Sequence, residues 1–101
     1  MNYTENFEGI KLDVQAVDID ISDELQQRIR DMITRLQRHI SEVNWVAVYF
    51  KKEAEQSTDS RTLSIRFGIP GNDAFASDSG DSWMALMASV EEKLRRQLRK
   101  R

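Results

Sequence analysis

Ile10-Lys11-Leu12-Asp13-Val14-Gln15-Ala16 alternates apolar with polar residues, the period of a strand with one buried face. Behind it Leu25, Ile29, Met32, Ile33, Leu36 and Ile40 recur at helical spacing, within an arc of about 100°. Ser22 offers an N-cap oxygen, and Asp23 and Glu24 suit the positive end of a helix dipole. The spacing predicts a helix near 23–41. Val43 to Phe50 is rich in β-branched and aromatic residues and predicts a second strand. One of its faces holds Val46, Val48 and Phe50; the other holds Trp45, Ala47, Tyr49 and Lys51. Leu63, Ile65, Phe67 and Ile69 alternate with Thr62, Ser64, Arg66 and Gly68 to give a third strand. Pro70-Gly71 is a turn pair, after which a short fourth strand fits Asp73 to Ser77. Residues 78–82 read as a loop leading to a capped helix, with Trp83, Leu86, Met87, Val90, Leu94 and Leu98 on its apolar side.

The order strand, helix, three strands, helix is an α+β arrangement. Its simplest form is a four-stranded sheet covered on one face by two helices. Residues 10–101 are expected as one domain, since no repeat or interior linker divides them. Residues 1–9 carry little apolar pattern beyond Tyr3 and Phe7 and are expected as a flexible leader. Glu53 to Ser60 reads as a polar hairpin loop. The core is expected to hold Leu25, Ile29, Leu36, Val46, Val48, Phe50, Ile65, Phe67, Val90 and Leu94. Lys11, Trp45, Tyr49, Lys51 and Arg66 are expected to project from the uncovered sheet face.

Composition narrows the classes. The chain has 101 residues, 40% of them hydrophobic, enough for one packed core. No run approaches the ~18 apolar residues of a membrane span. Residues 1–6 lack the basic and apolar regions of a secretory signal, so a cytoplasmic protein without a membrane partner is expected. The absence of cysteine excludes disulfides, thiolate zinc sites and thiol nucleophiles. Net charge is 15 − 17 = −2, which alone argues mildly against a nucleic-acid binder. Charge is nevertheless sorted by segment. Lys93 to Arg101 holds six basic residues and no acid, and Arg28 to Arg38 holds four arginines against Asp31 alone. Acids gather in Asp13 to Glu24, Glu53 to Asp59 and Asp73 to Asp81.

Catalytic chemistry has no visible carrier. His39 is the one histidine and stands beside Arg38 as a solvated side chain. No serine sits in a G-x-S-x-G elbow, and no glycine-rich loop has phosphate-binding spacing. The acids around Asp73, Asp78 and Asp81 lack the ligand pattern of a calcium loop. Neither a cofactor nor a metal nor a small-molecule substrate is expected. The cations are more informative. Lys93, Arg95, Arg96, Arg99 and Lys100 fan around the polar side of the last helix. Two or three would satisfy a helix C-terminus; the rest fit phosphate binding, and both readings stand. Arg28, Arg35 and Arg38 share one flank of the first helix. Trp45 and Tyr49, with Lys51 beyond them, can either stack bases or cover the sheet beneath the leader.

An ordered set of local matches resembles the short ribosome hibernation-promoting factors. That family is also called ribosome-associated inhibitor, ribosomal subunit interface or sigma-54 modulation protein. Ile19-Asp20-Ile21-Ser22-Asp23-Glu24-Leu25 is similar to the family's strand end and helix cap. Thr34-Arg35-Leu36 resembles its basic-Leu pair, Val43-Asn44-Trp45-Val46 its entry to the second strand, and Lys51 a basic position late in that strand. Glu92-Lys93-Leu94-Arg95-Arg96-Gln97-Leu98-Arg99-Lys100 resembles its closing segment, the most specific portion. The resemblance spans Ile10 to Arg101.

It implies a β-α-β-β-β-α fold similar to double-stranded-RNA-binding domains. It also implies a non-enzymatic protein in the decoding channel of the small subunit, where it inhibits translation and preserves idle ribosomes. The implied partners are the 30S subunit, its 16S rRNA and the 70S ribosome. Basic positions carried over are Arg35, Lys51, Lys93, Arg96 and Lys100; Arg28, Arg38, Arg66 and Arg99 join them as candidate RNA contacts from the charge pattern. A protein-interaction module using the exposed Trp45–Tyr49 face is the competing expectation, consistent with the net negative charge.

Overall fold

The structure is a computed structural model and describes residues 1–53 and 60–100. Five strands form one sheet in the order β1 (Asn2–Phe7), β2 (Ile10–Ala16), β3 (Trp45–Glu53), β4 (Ser60–Gly68) and β5 (Ala74–Gly80). Helix α1 (Asp23–Leu36) joins β2 to β3, which run parallel, and α2 (Trp83–Arg99) closes the chain. The other neighbours pair antiparallel. The β-α-β-β-β-α order is as expected.

The sheet has one strand more than the four expected. Residues 2–7, read as part of a flexible leader, form β1 at the edge, with Tyr3 opposite Val14 and Phe7 opposite Ile10. A two-residue turn makes this hairpin: Glu8 and Gly9 both have positive φ, 51° and 85°, the backbone a tight hairpin turn demands. Tyr3 and Phe7 pack against the core, while Glu5 between them pairs with Arg30 of α1 at 2.8 Å. The leader therefore covers the flank of the helix layer.

Burial follows the period-two pattern. Ile10, Leu12, Val14 and Ala16 of β2, Val46, Val48 and Phe50 of β3, and Leu63, Ile65 and Phe67 of β4 are all buried. They form one cluster with Leu25, Ile29, Met32, Ile33 and Leu36 of α1 and Leu86, Met87, Val90, Leu94 and Leu98 of α2. All ten expected core residues lie in it. Ser22 caps α1 by accepting from the Leu25 N–H at 3.1 Å, and Ser82 caps α2 through the Ala85 N–H. Trp83 starts α2 with its ring edge-on to Phe50, 5.1 Å between centroids.

Boundaries differ in two places. α1 stops at Leu36, a 3-10 turn follows over Gln37–His39, and Ile40 is extended and half-buried instead of continuing the helix to 41. β5 runs on to Gly80 instead of yielding to a loop after Ser77. The expected hairpin loop over Glu53–Ser60 falls mainly on residues outside those described.

Candidate nucleic-acid interface

The direction of the helices decides where the cations meet. β2 and β3 are parallel, so α1 must run back against both. β5 is antiparallel to β4 and hence parallel to β3. α2 runs against β5. Ser89 bonds Asp78, Lys93 donates to the Ser77 carbonyl at 3.1 Å, and Gln97 brackets the Phe75 backbone, accepting its N–H at 3.0 Å. Both helices therefore finish at the same end of the molecule. Arg38 and His39 lie there with Arg95, Arg96, Arg99 and Lys100. Asp18, Asp20, Asp23, Glu24, Glu53 and Asp81 occupy the opposite end, at strand ends and helix starts. Segmental charge in the sequence has become charge sorted by end in part: Glu42 and Asp73 stand at the basic end, and Lys51, Lys52 and Arg61 at the acidic one.

Within the basic end the cations differ in what they touch. Arg35 forms a two-pronged pair with Glu91 across the helices, 2.7 Å at both contacts. That bond raises the Arg35 pKa further and ties α1 to α2. Arg95 and Arg96 both reach Glu92, Arg96 at 3.6 Å. Arg28 lines the interhelical groove with Arg35 and Arg95, beside Glu91 and Glu92. Its Nε is buried without a partner among the described residues. Arg38, Arg99 and Lys100 are exposed and have no acidic partner among the described residues.

Lys93 turns toward the sheet edge, 3.6 Å from Asp78 as well as bonding Ser77. Together with Gln97 it covers the outer edge of β5, where unpaired backbone groups would otherwise invite another strand. Asp78 accepts from the Ser89 hydroxyl and the Ser79 N–H and faces Lys93; these bonds hold its carboxyl below the ordinary value. A depressed folded pKa contributes stability that is present at neutral pH and lost as pH falls through that value. Melting temperature is therefore expected to fall below about pH 4. Part of that fall should vanish in Asp78→Asn; an identical acid profile in the variant would show the clamp to be inert.

The uncovered sheet face carries Lys11, Trp45, Tyr49, Lys51 and Arg66, as expected. Lys51 pairs with Glu53 at 3.1 Å, and Arg66 lies 3.9 Å from Asp73 and 4.6 Å over the Phe75 ring. Trp45 and Tyr49 have different surroundings. The Trp45 indole lies across Gly68 on the neighbouring strand, so close that a Cβ there would overlap it. Tyr49 is 41% exposed. Phe75 is equally exposed and was missed, because its neighbours Ala74, Ala76 and Ser77 give a weak alternation.

The family described as sigma 54 modulation protein / S30EA ribosomal protein matches residues 12–101. The chain belongs to this family. A ribosome hibernation promoting factor from Acinetobacter guillouiae is 26% identical over 97 residues, covering 90% of this chain and 86% of that protein. The N-terminal domain of Thermus thermophilus protein Y superposes with a TM-score of 0.76 at 15% identity, covering 91% of this chain and 97% of that one. A ribosomal subunit interface protein from Coxiella burnetii gives 0.76 at 19% identity, covering 88% and 93%. At those identities the two structures share the fold. The resemblance carried by the closing segment and the Ile19–Leu25 cap thus holds across the S30EA family match. Among the described residues no cluster of His, Asp and Glu could hold a metal ion, and no helix is long and apolar enough to cross a membrane.

Proposed function

We propose that the chain binds the ribosome through its small subunit, without catalysing a reaction, and holds translation off in idle cells. The observation that carries this reading is the shared end of α1 and α2. There Arg38, Arg99 and Lys100 have no carboxylate partner among the described residues and remain available to phosphate. Relatives named for ribosome hibernation and for the subunit interface support the choice of partner. Binding would rest on neutralising 16S rRNA phosphates with release of their counterions, in the decoding channel of the 30S subunit and of 70S ribosomes. The acidic end would point away from the RNA, which reconciles a net charge of −2 with an RNA partner. Such a protein works in the cytoplasm.

Two measurements test this. In a low-salt sucrose gradient the protein is expected to travel with 30S and 70S particles; recovery only at the top of the gradient would refute the proposal. In cell-free translation, inhibition is expected to plateau near one protein per 30S subunit. Full inhibition at a small fraction of the ribosome concentration would require turnover and overturn the non-enzymatic reading.

A further inference from the structure

The sheet face turned away from both helices bears a shallow depression of about 190 Å³ that the cation cluster does not involve. Ala47 lines it between Asp13 of β2 and Arg66 of β4. Tyr49 and Phe75 both line it, and the Arg66 guanidinium carbon lies 4.6 Å from the Phe75 ring centroid. Asp13, Gln15 and Ser64 supply acceptors and donors at the rim. From this juxtaposition we propose a binding site for unpaired nucleotides of single-stranded RNA, with bases stacked on Tyr49 and Phe75. It extends the ribosome reading by adding a second RNA contact on the opposite face.

Register places the two rings correctly for such a role. Tyr49 pairs with Ser64, and Phe75 pairs with Arg66, two residues further along β4. The rings therefore stand two strands apart and one pleat repeat apart, on the same face. At about 4.8 Å per strand and 3.3 Å per residue their Cα atoms lie roughly 12 Å apart. That separation lets each ring take its own base, as aromatics on a sheet surface do for single strands. The rim groups can bond base edges, and Lys11 can meet the backbone.

A protein partner fits less well. Beyond Trp45 and Ala47, which continue the Tyr49 column on β3, the face is polar: Thr4, Gln15, Thr62, Ser64, Ser77 and Ser79 surround the aromatics. A large contiguous apolar patch would mark a protein-docking surface. Rings among hydrogen-bonding groups suit bases, which present a π-face and a polar edge.

The test uses fluorescein-labelled hexauridylate and an abasic oligomer of the same length and charge, with anisotropy read at low salt. The intact chain is expected to bind hexauridylate and to bind the abasic oligomer at least about tenfold more weakly. Tyr49→Thr with Phe75→Thr keeps β-propensity and should remove that preference, while its melting temperature stays near that of the parent. The same variant should keep co-sedimenting with 30S subunits through the helix cations. Equal affinity for both oligomers, or no loss in the double variant, overturns the inference and leaves the ribosome reading to its own gradient test. A dimer in solution that the double variant splits would make this face a self-association surface and would also overturn it.

Discussion

Replacing Arg38, Arg99 and Lys100 together by glutamine is expected to weaken 30S binding and to flatten its salt dependence. Each cation that neutralises a phosphate adds about 0.7 to 0.9 to the slope of log K against log salt. Three lost contacts should therefore reduce the slope by roughly two to three units. These three are chosen because they are exposed at the shared helix end, whereas Arg28 is set into the interhelical groove and most other cations of the helix layer hold protein partners. Arg35 is committed to Glu91, Lys93 to Ser77 and Asp78, and Arg95 and Arg96 to Glu92. A phosphate approaching those would have to displace a carboxylate or carbonyl, and the gain per contact would be smaller. Glutamine keeps helix propensity, although cations lost at helix C-termini cost about 0.3 to 1 kcal/mol each at most sites. A modest drop in melting temperature is thus expected beside the binding defect. Unchanged affinity and slope would mean that the basic end is a solvated pair of helix termini and that RNA is met elsewhere.

Periodicity made the core legible because each buried residue is a local fact. Val46, Val48 and Phe50 declare their face by alternation, and Leu25 through Leu36 by helical spacing. β1 escaped because its inward residues, Tyr3, Glu5 and Phe7, include a carboxylate. Only the distant Arg30 makes Glu5 an inward residue. Its turn was equally concealed, since Glu8-Gly9 lacks the Asn-Gly or Asp-Gly signature of such hairpins.

The candidate site was legible in part, for a related reason. Composition reveals which segments are basic, but not which cations are already spent. The Arg35–Glu91 pair joins residues 56 positions apart, and Lys93 finds its partners only when α2 folds back on β5. Cations read as one equivalent set divide into those that fix the helices and those that face outward. The aromatic set gained a member for the same cause. Trp45 lies on Gly68 across the β3–β4 register, and Phe75 on β5 adds a further exposed ring to the open face.

Leu36→Ala is expected to cost about 2–5 kcal/mol, the range for emptying a closed core site. Leu36 closes the last turn of α1 and is 1% exposed, packed into the cluster shared by both helices and the sheet. At roughly 4–8 °C per kcal/mol for a domain of this size, the melting temperature should fall by about 10 °C or more. The informative comparison is Ile40→Ala. In a helix continuing to residue 41, Leu36 and Ile40 would be consecutive members of one buried stripe and their losses would match. In the structure the stripe ends at Leu36. The 3-10 turn swings the chain outward, and Ile40 becomes an extended, half-buried residue beside His39 and Pro70. Its truncation removes less apolar area from the core and lets water fill the gap, so a loss of about 1 kcal/mol is expected. Equal losses at the two positions in chemical denaturation would show that the helix runs on past Leu36. A loss of a few tenths at Leu36 would show that the α1 face is misassigned.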